Sequence, residues 1–144
     1  MATDRHAEVS WQGNLTEGSG TIERVGTGAF GPLDVSWPAR TEEPGGKTSP
    51  EELIAAAHAA CFSMSLSHEL AEGGNAPERL DTRADVTFQP GTGITAIRLT
   101  VRGRVPGLDG GAFREAAEAA KTGCPVSQAL AAVPEITLDA ALAA

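Results

Sequence analysis

The chain has 144 residues, of which 41% are hydrophobic and 21% charged, with a formal net charge of −8 and an isoelectric point near 4.8. That balance excludes a disordered chain and fits one globular domain over residues 1–144, while the acidic surplus and an aromatic content of 4% argue against nucleic acid as a partner. No apolar run approaches the roughly 20 residues of a membrane span, and charges stand in Met1–Gly13 where a signal peptide needs its apolar stretch. The expectation is therefore a cytoplasmic chain with no membrane partner, whose two cysteines serve redox or catalytic chemistry rather than as a staple.

Taken in order, the first forty residues read as short strands between glycine turns. Ala7–Trp11 alternates apolar with polar residues at the period of a half-buried strand. Thr21–Val25 follows the Gly18-Ser19-Gly20 break, and Leu33–Trp37 alternates again until Pro38, which cannot donate to a ladder. A three-stranded meander is the simple reading. Arg40–Lys47 then reads as a polar loop.

The strongest element comes next. Ser49 can cap a helix, Pro50 suits its first position, and Glu52 completes a capping box. From Glu51 to Ala71 there is no glycine or proline, and apolar residues nearly encircle the helix, as on one buried on most sides. A second copy of the chain wrapped around it is one way to bury so much. Gly73-Gly74 ends it. Leu80–Gln89 and Ile94–Val105 read as a hairpin across Gly91-Thr92-Gly93. In the second strand Ile97, Leu99, Val101 and Gly103 face one side, and Arg98, Thr100, Arg102 and Arg104 the other. Asp109–Lys121 is a helix with Phe113, Ala116, Ala117 and Ala120 at helical spacing; Cys124-Pro125 opens a short one through Ala131, and Glu135–Asp139 is a last strand. Strands, helix, strands, helices make the class α+β.

Few residues carry obvious chemistry. Cys61 lies on the long helix with Ala57, Met64 and Ser65. As a free thiol it is either a small buried hydrophobe or a reactive group, and its surroundings favour the former. Cys124 stands at the cap of the short helix, where backbone N–H groups and the helix dipole favour a thiolate. Arg40 and Glu51 read as surface charges, or as partners across the loop before the helix. Glu51 and Cys61 share roughly one helical face but are ten residues apart, about 15 Å at the helical rise, so only a bridge such as Arg40 could couple them. His6, His58 and His68 form no metal-ligand spacing with the cysteines, and His58 reads as a core or interface polar residue. No metal and no cofactor is called for. Gly26-Thr27-Gly28 and Gly91-Thr92-Gly93 lack the setting of a phosphate loop.

Two motifs together resemble a known family. Thr48-Ser49-Pro50-Glu51-Glu52-Leu53-Ile54-Ala55-Ala56-Ala57-His58-Ala59-Ala60-Cys61-Phe62-Ser63-Met64-Ser65-Leu66 resembles the signature helix of the osmotically inducible protein C family, which includes the organic hydroperoxide resistance proteins. Gly123-Cys124-Pro125-Val126-Ser127 resembles its second cysteine motif, and the order of elements agrees along nearly the whole chain. Ala57-His58 is the wording of the osmotically inducible branch; the resistance branch usually has glycine and an aromatic there.

The resemblance implies an OsmC-like fold, with antiparallel sheets packed around a long central helix in an intertwined homodimer. It implies a thiol peroxidase acting on organic hydroperoxides, in oxidative or osmotic stress defence, and reset by an external dithiol, often a lipoyl-bearing protein. Cys61 matches the peroxidatic cysteine, Cys124 the resolving one, and Glu51 the glutamate that holds the catalytic arginine. Arg40 is the best match for that arginine, with Arg24 next. Phe62, Met64 and Phe30 are the residues to line a pocket for the alkyl group. Two other readings stand beside this one: a non-enzymatic stress-related dimer with inert thiols, and a redox sensor that uses the same disulfide as a signal.

Overall fold

The computed structural model describes residues 1–144 and forms two compact units, Met1–Leu53 and Ile54–Ala144. The first unit begins with β1 (Ala7–Gln12), β2 (Ser19–Val25) and β3 (Leu33–Val35), an antiparallel meander in the order β1-β2-β3. β3 is shorter than its alternation predicts. Ser36 leaves the strand with extended backbone and caps a helix instead, its Oγ accepting from the Ala39 N–H at 3.2 Å. Pro38 sits in the first turn of that helix, α1 (Trp37–Thr41), where its missing N–H costs nothing. Arg40, expected on a loop, is thus held on a turn of helix.

The helix α2 (Pro50–Glu72) starts in the first unit and continues into the second. At its start the Glu52 N–H donates to Ser49 Oγ at 3.1 Å, and the Glu52 carboxylate accepts from the Thr48 hydroxyl at 2.7 Å. Thr48 thus joins the capping pair that the sequence assigns to Ser49 and Glu52 alone.

The second unit holds the hairpin β4 (Arg79–Gln89) and β5 (Gly93–Arg104), then α3 (Gly110–Gly123), α4 (Pro125–Ala129) and β6 (Glu135–Leu142). Its sheet runs β4-β5-β6. β4 is antiparallel to β5, but β6 lies parallel to it, because the two intervening helices carry the chain back to the start of the strand. The expected sheets were antiparallel throughout; this last pair departs from that within the same α+β class. The β5 alternation holds: Ile97, Leu99 and Val101 are buried, while Arg98 and Arg102 pair with Asp139 outside.

The core is the inner face of this sheet against two helices. Phe62, Leu66 and Leu70, at intervals of four on α2, pack with Leu99, Val101, Val105, Phe113, Ala117 and Ala120. Small residues set the spacing. A Cβ on Gly103 would lie 2.6 Å from the Phe113 ring, so only glycine lets α3 approach β5. The buried stripe on α2 is narrower than its apolar content predicts: Met64 is 73% exposed in the single chain.

Candidate active site

Two clusters hold the chemistry, one in each unit. In the first, Arg40 and Glu51 form a fork. Arg40 Nε lies 2.9 and 3.2 Å from the two carboxylate oxygens of Glu51, and its terminal Nη2 lies 2.7 Å from one of them. Glu51 is only 7% exposed, at the start of α2, where the helix dipole also favours its charge. The Arg40 guanidinium lies 5.8 Å from the Trp37 ring centre, within cation–π range. A planar cation gripped by two oxygens and set against a ring keeps one orientation. Arg24 sits on β2, paired with Glu8 of β1 on the exposed side of the meander.

In the second unit, α2 brings Cys61 against Cys124, which ends α3 and begins α4. The thiols are free, and close enough to share a hydrogen bond. They are not equivalent. Cys124 is fully buried; Cys61 is partly exposed. Burial pushes the Cys61 thiol up, the hydrogen bond to Cys124 adds to this, and the Val126 N–H and the Ser65 hydroxyl pull the other way without reversing it. Burial also works against a charge on Cys124. There, however, the hydrogen bond from Cys61, the N–H and hydroxyl of Ser127 and the N–H of Val126 outweigh it, and they hold Cys124 below the ordinary thiol range. These contacts favour negative charge on the inner sulfur. These N–H groups act through their field, since no capping hydrogen bond is closed onto the Cys124 side chain.

Cys61 opens on a cleft of about 380 Å³. Met64, Ala120 and Pro125 give it apolar walls; Ser65, His68 and Glu69 give it a polar edge. Met64 thus lines the cleft beside Cys61. Phe62 does not: its ring is wholly buried in the core with Leu66 and Phe113, because one residue along a helix turns the side chain to another face. Phe30 lines a separate hollow of the first unit with Arg5, His6 and Val25. A wider concavity of about 620 Å³ holds neither cysteine; it is an open saddle on the outer sheet face, walled by the Arg83–Asp85 ion pair and Arg98.

His58, Ser65 and Ser127 stand out only in the structure. His58 is fully buried, one turn before Cys61, with its Nε2 2.7 Å from Ser127 Oγ. Their only signal in the sequence is position: three residues before Cys61, four after it and three after Cys124. No three His, Cys, Asp or Glu side chains cluster as metal ligands, and no helix is long and apolar enough to cross a membrane.

Comparison with known proteins places the chain among proteins of this architecture. Residues 43–139 match the family model described as OsmC-like protein. The chain is 43% identical over 142 residues to Peroxiredoxin OsmC of Escherichia coli strain K12, covering 96% of each. Among solved structures, an OsmC-like protein of unknown function from Vibrio cholerae superposes with a TM-score of 0.72 at 16% identity, covering 96% of this chain and 99% of that one. The organic hydroperoxide resistance protein OhrB of Bacillus subtilis gives 0.64 at 24% identity, covering 96% and 98%. At such identities the two structures speak for the fold.

Proposed function

Because this chain belongs to the OsmC-like protein family, we propose that it is a cysteine-based peroxidase that reduces organic hydroperoxides through Cys61 and Cys124. One observation carries the reading: Cys61 faces a cleft with apolar walls while its sulfur lies within hydrogen-bonding reach of a second, buried thiol. Access makes Cys61 the first nucleophile, since a peroxide in the cleft meets it before Cys124. The family relative named a peroxiredoxin supports the same reaction class.

The pair as a monoanion shares one proton. When that proton sits on Cys124, Cys61 is the thiolate. It attacks the distal peroxide oxygen; an S–O bond forms, the O–O bond breaks, and the alkoxide leaves. The alkoxide takes the proton from Cys124 and departs as alcohol, so Cys61 is now a sulfenic acid and Cys124 a thiolate. Cys124 then attacks the sulfenic sulfur, forming the disulfide and releasing hydroxide. A dithiol, such as a lipoyl group on a protein, reduces the disulfide and closes the cycle. Arg40, oriented by Glu51, takes the role of the cation that favours charge on Cys61; this role rests on the family resemblance. Met64 and its apolar neighbours favour an alkyl hydroperoxide over hydrogen peroxide. A homodimer would cover the apolar surface of α2 that the single chain leaves open.

The test is consumption of cumene hydroperoxide with dihydrolipoamide. Wild type turns over, Cys61→Ser does not, and Cys124→Ser reacts but stalls at an oxidised Cys61. Undiminished turnover in Cys61→Ser sinks the mechanism. No consumption by any form returns the chain to the inert dimer, and a single oxidation without turnover makes it a sensor.

A further inference from the structure

The cysteine pair rests on a buried polar layer for which the reaction above has no use. His58 on α2 and Ser127 on α4 are 69 positions apart in the chain, and both are buried. The Nε2–Oγ separation of 2.7 Å is short for this type of bond. His58 Nδ1 is also buried and has no hydrogen-bond partner. Burial favours the neutral ring. A neutral ring carries one N–H, and leaving that donor unpaired in the interior costs more than leaving a lone pair unpaired. The N–H therefore belongs on Nε2, which donates to Ser127 Oγ. With its oxygen occupied as an acceptor, the Ser127 hydroxyl is left free to turn its own proton towards the Cys124 sulfur three residues back, in line with the side-chain contribution of Ser127 that favours charge on that sulfur.

We propose that His58 is a positioning residue for the resolving step: by donating to Ser127 it fixes that hydroxyl as a donor to Cys124, and so readies the Cys124 sulfur to attack Cys61. The proposal rests on the peroxidase reading above. In the step it serves, the Cys124 thiolate attacks the sulfur of the Cys61 sulfenic acid. An S–S bond forms and the S–O bond breaks; the Cys124 sulfur is oxidised, the sulfenic sulfur is reduced, and the departing hydroxide takes a proton from solvent. His58 and Ser127 lose and gain no proton. The titratable groups facing Cys124 are Cys61 and, through Ser127, His58.

The experiment has two arms. In the first, Cys124 is titrated by thiolate absorbance in a Cys61→Ala background, which needs no peroxide. Losing one hydrogen bond to a charged sulfur moves an equilibrium by about tenfold, so Ser127→Ala is expected to raise the Cys124 midpoint by about one pH unit. Ser127→Thr restores it. His58→Leu raises it as Ser127→Ala does, and His58→Gln, whose amide N–H can also donate, brings it back towards the starting value. A buried hydrogen bond with only a structural role would lower the melting temperature and leave the midpoint in place. In the second arm, the protein with both cysteines is mixed with cumene hydroperoxide, and dimedone competes with Cys124 for the sulfenic acid. Ser127→Ala is expected to form the disulfide about tenfold more slowly and to yield more dimedone adduct. An unmoved midpoint in either Ser127→Ala or His58→Leu, or disulfide formation at the wild-type rate, overturns the proposal. Wild type that forms no sulfenic acid overturns the peroxidase reading instead, and the first arm still judges the hydrogen-bond chain.

Discussion

At the scale of single residues, charge and access are divided between the two sulfurs. Cys61 is reachable from the cleft but pushed up by burial and by Cys124; Cys124 is enclosed but held down by its neighbours. A pair so coupled titrates in two steps that belong to it jointly. As pH rises, the first proton is expected to leave below the ordinary thiol range and the second above it. Thiolate absorbance should therefore rise in two separated steps, and replacing Cys61 should move the remaining step upward, since Cys124 then loses the hydrogen bond from Cys61. Peroxide reactivity should appear with the lower step, when one sulfur carries charge; reactivity appearing only with the upper one contradicts a shared proton. Arg40 carries the second residue-scale prediction. Arg40→Lys keeps the charge but not the fork, and Arg40→Ala leaves a nearly buried Glu51 carboxylate with its hydrogen bonds unmade. A charge-assisted hydrogen bond from the guanidinium to the reacting groups is worth about 1.5–3 kcal/mol in the transition state, so Arg40→Ala is expected to lower kcat/KM for cumene hydroperoxide by at least about tenfold, and Arg40→Lys by less. A rate untouched by Arg40→Ala would take the arginine role away from it.

At the scale of elements, a short helix holds the Arg40 side chain. α1 is five residues long, too short to persist by its own hydrogen bonds, and the Ser36 cap helps to hold it. Ser36→Ala removes that cap at a cost of about 1 kcal/mol. Most of the cost should fall on the turn that carries Arg40. The expected outcome is a lower kcat/KM with the thiol titration unchanged, checked by running both on the same variant. The signal for α1 was present as Ser36 followed by Pro38, a cap and a first-turn proline. It is hidden by the alternation of Leu33–Trp37, which reads as strand through the same residues. The long helix suffered no such conflict, because its cap, its proline and more than twenty unbroken residues point the same way.

At the scale of the whole molecule, apolar side chains remain outside. Val9 is 60% exposed and Trp11 42%, on a β1 with every residue exposed, and Met64 is bare on α2. A lone chain with such surface is a poor solution in water, and a homodimer is the proposal that covers it. Sedimentation is expected to give twice the 14.7 kDa chain mass. Val9→Glu combined with Trp11→Glu places charge on β1 and should shift the equilibrium towards monomer; a wild-type monomer at micromolar concentration contradicts the homodimer.

The sequence by itself determined the α+β class, the extent of α2, the two faces of β5 and the positions of both cysteines. Caps, breakers and hydrophobic periods act over a few residues, so a linear reading captures them. Only the tertiary structure decided that β6 lies parallel to β5, that Phe62 fills the core while Met64 lines the cleft, and that Cys124 is the enclosed sulfur and Cys61 the accessible one. It alone joined His58 to Ser127. These outcomes depend on which distant segments meet and how much water they exclude, and both burial energies and hydrogen-bond partners are set by packing rather than by neighbours along the chain.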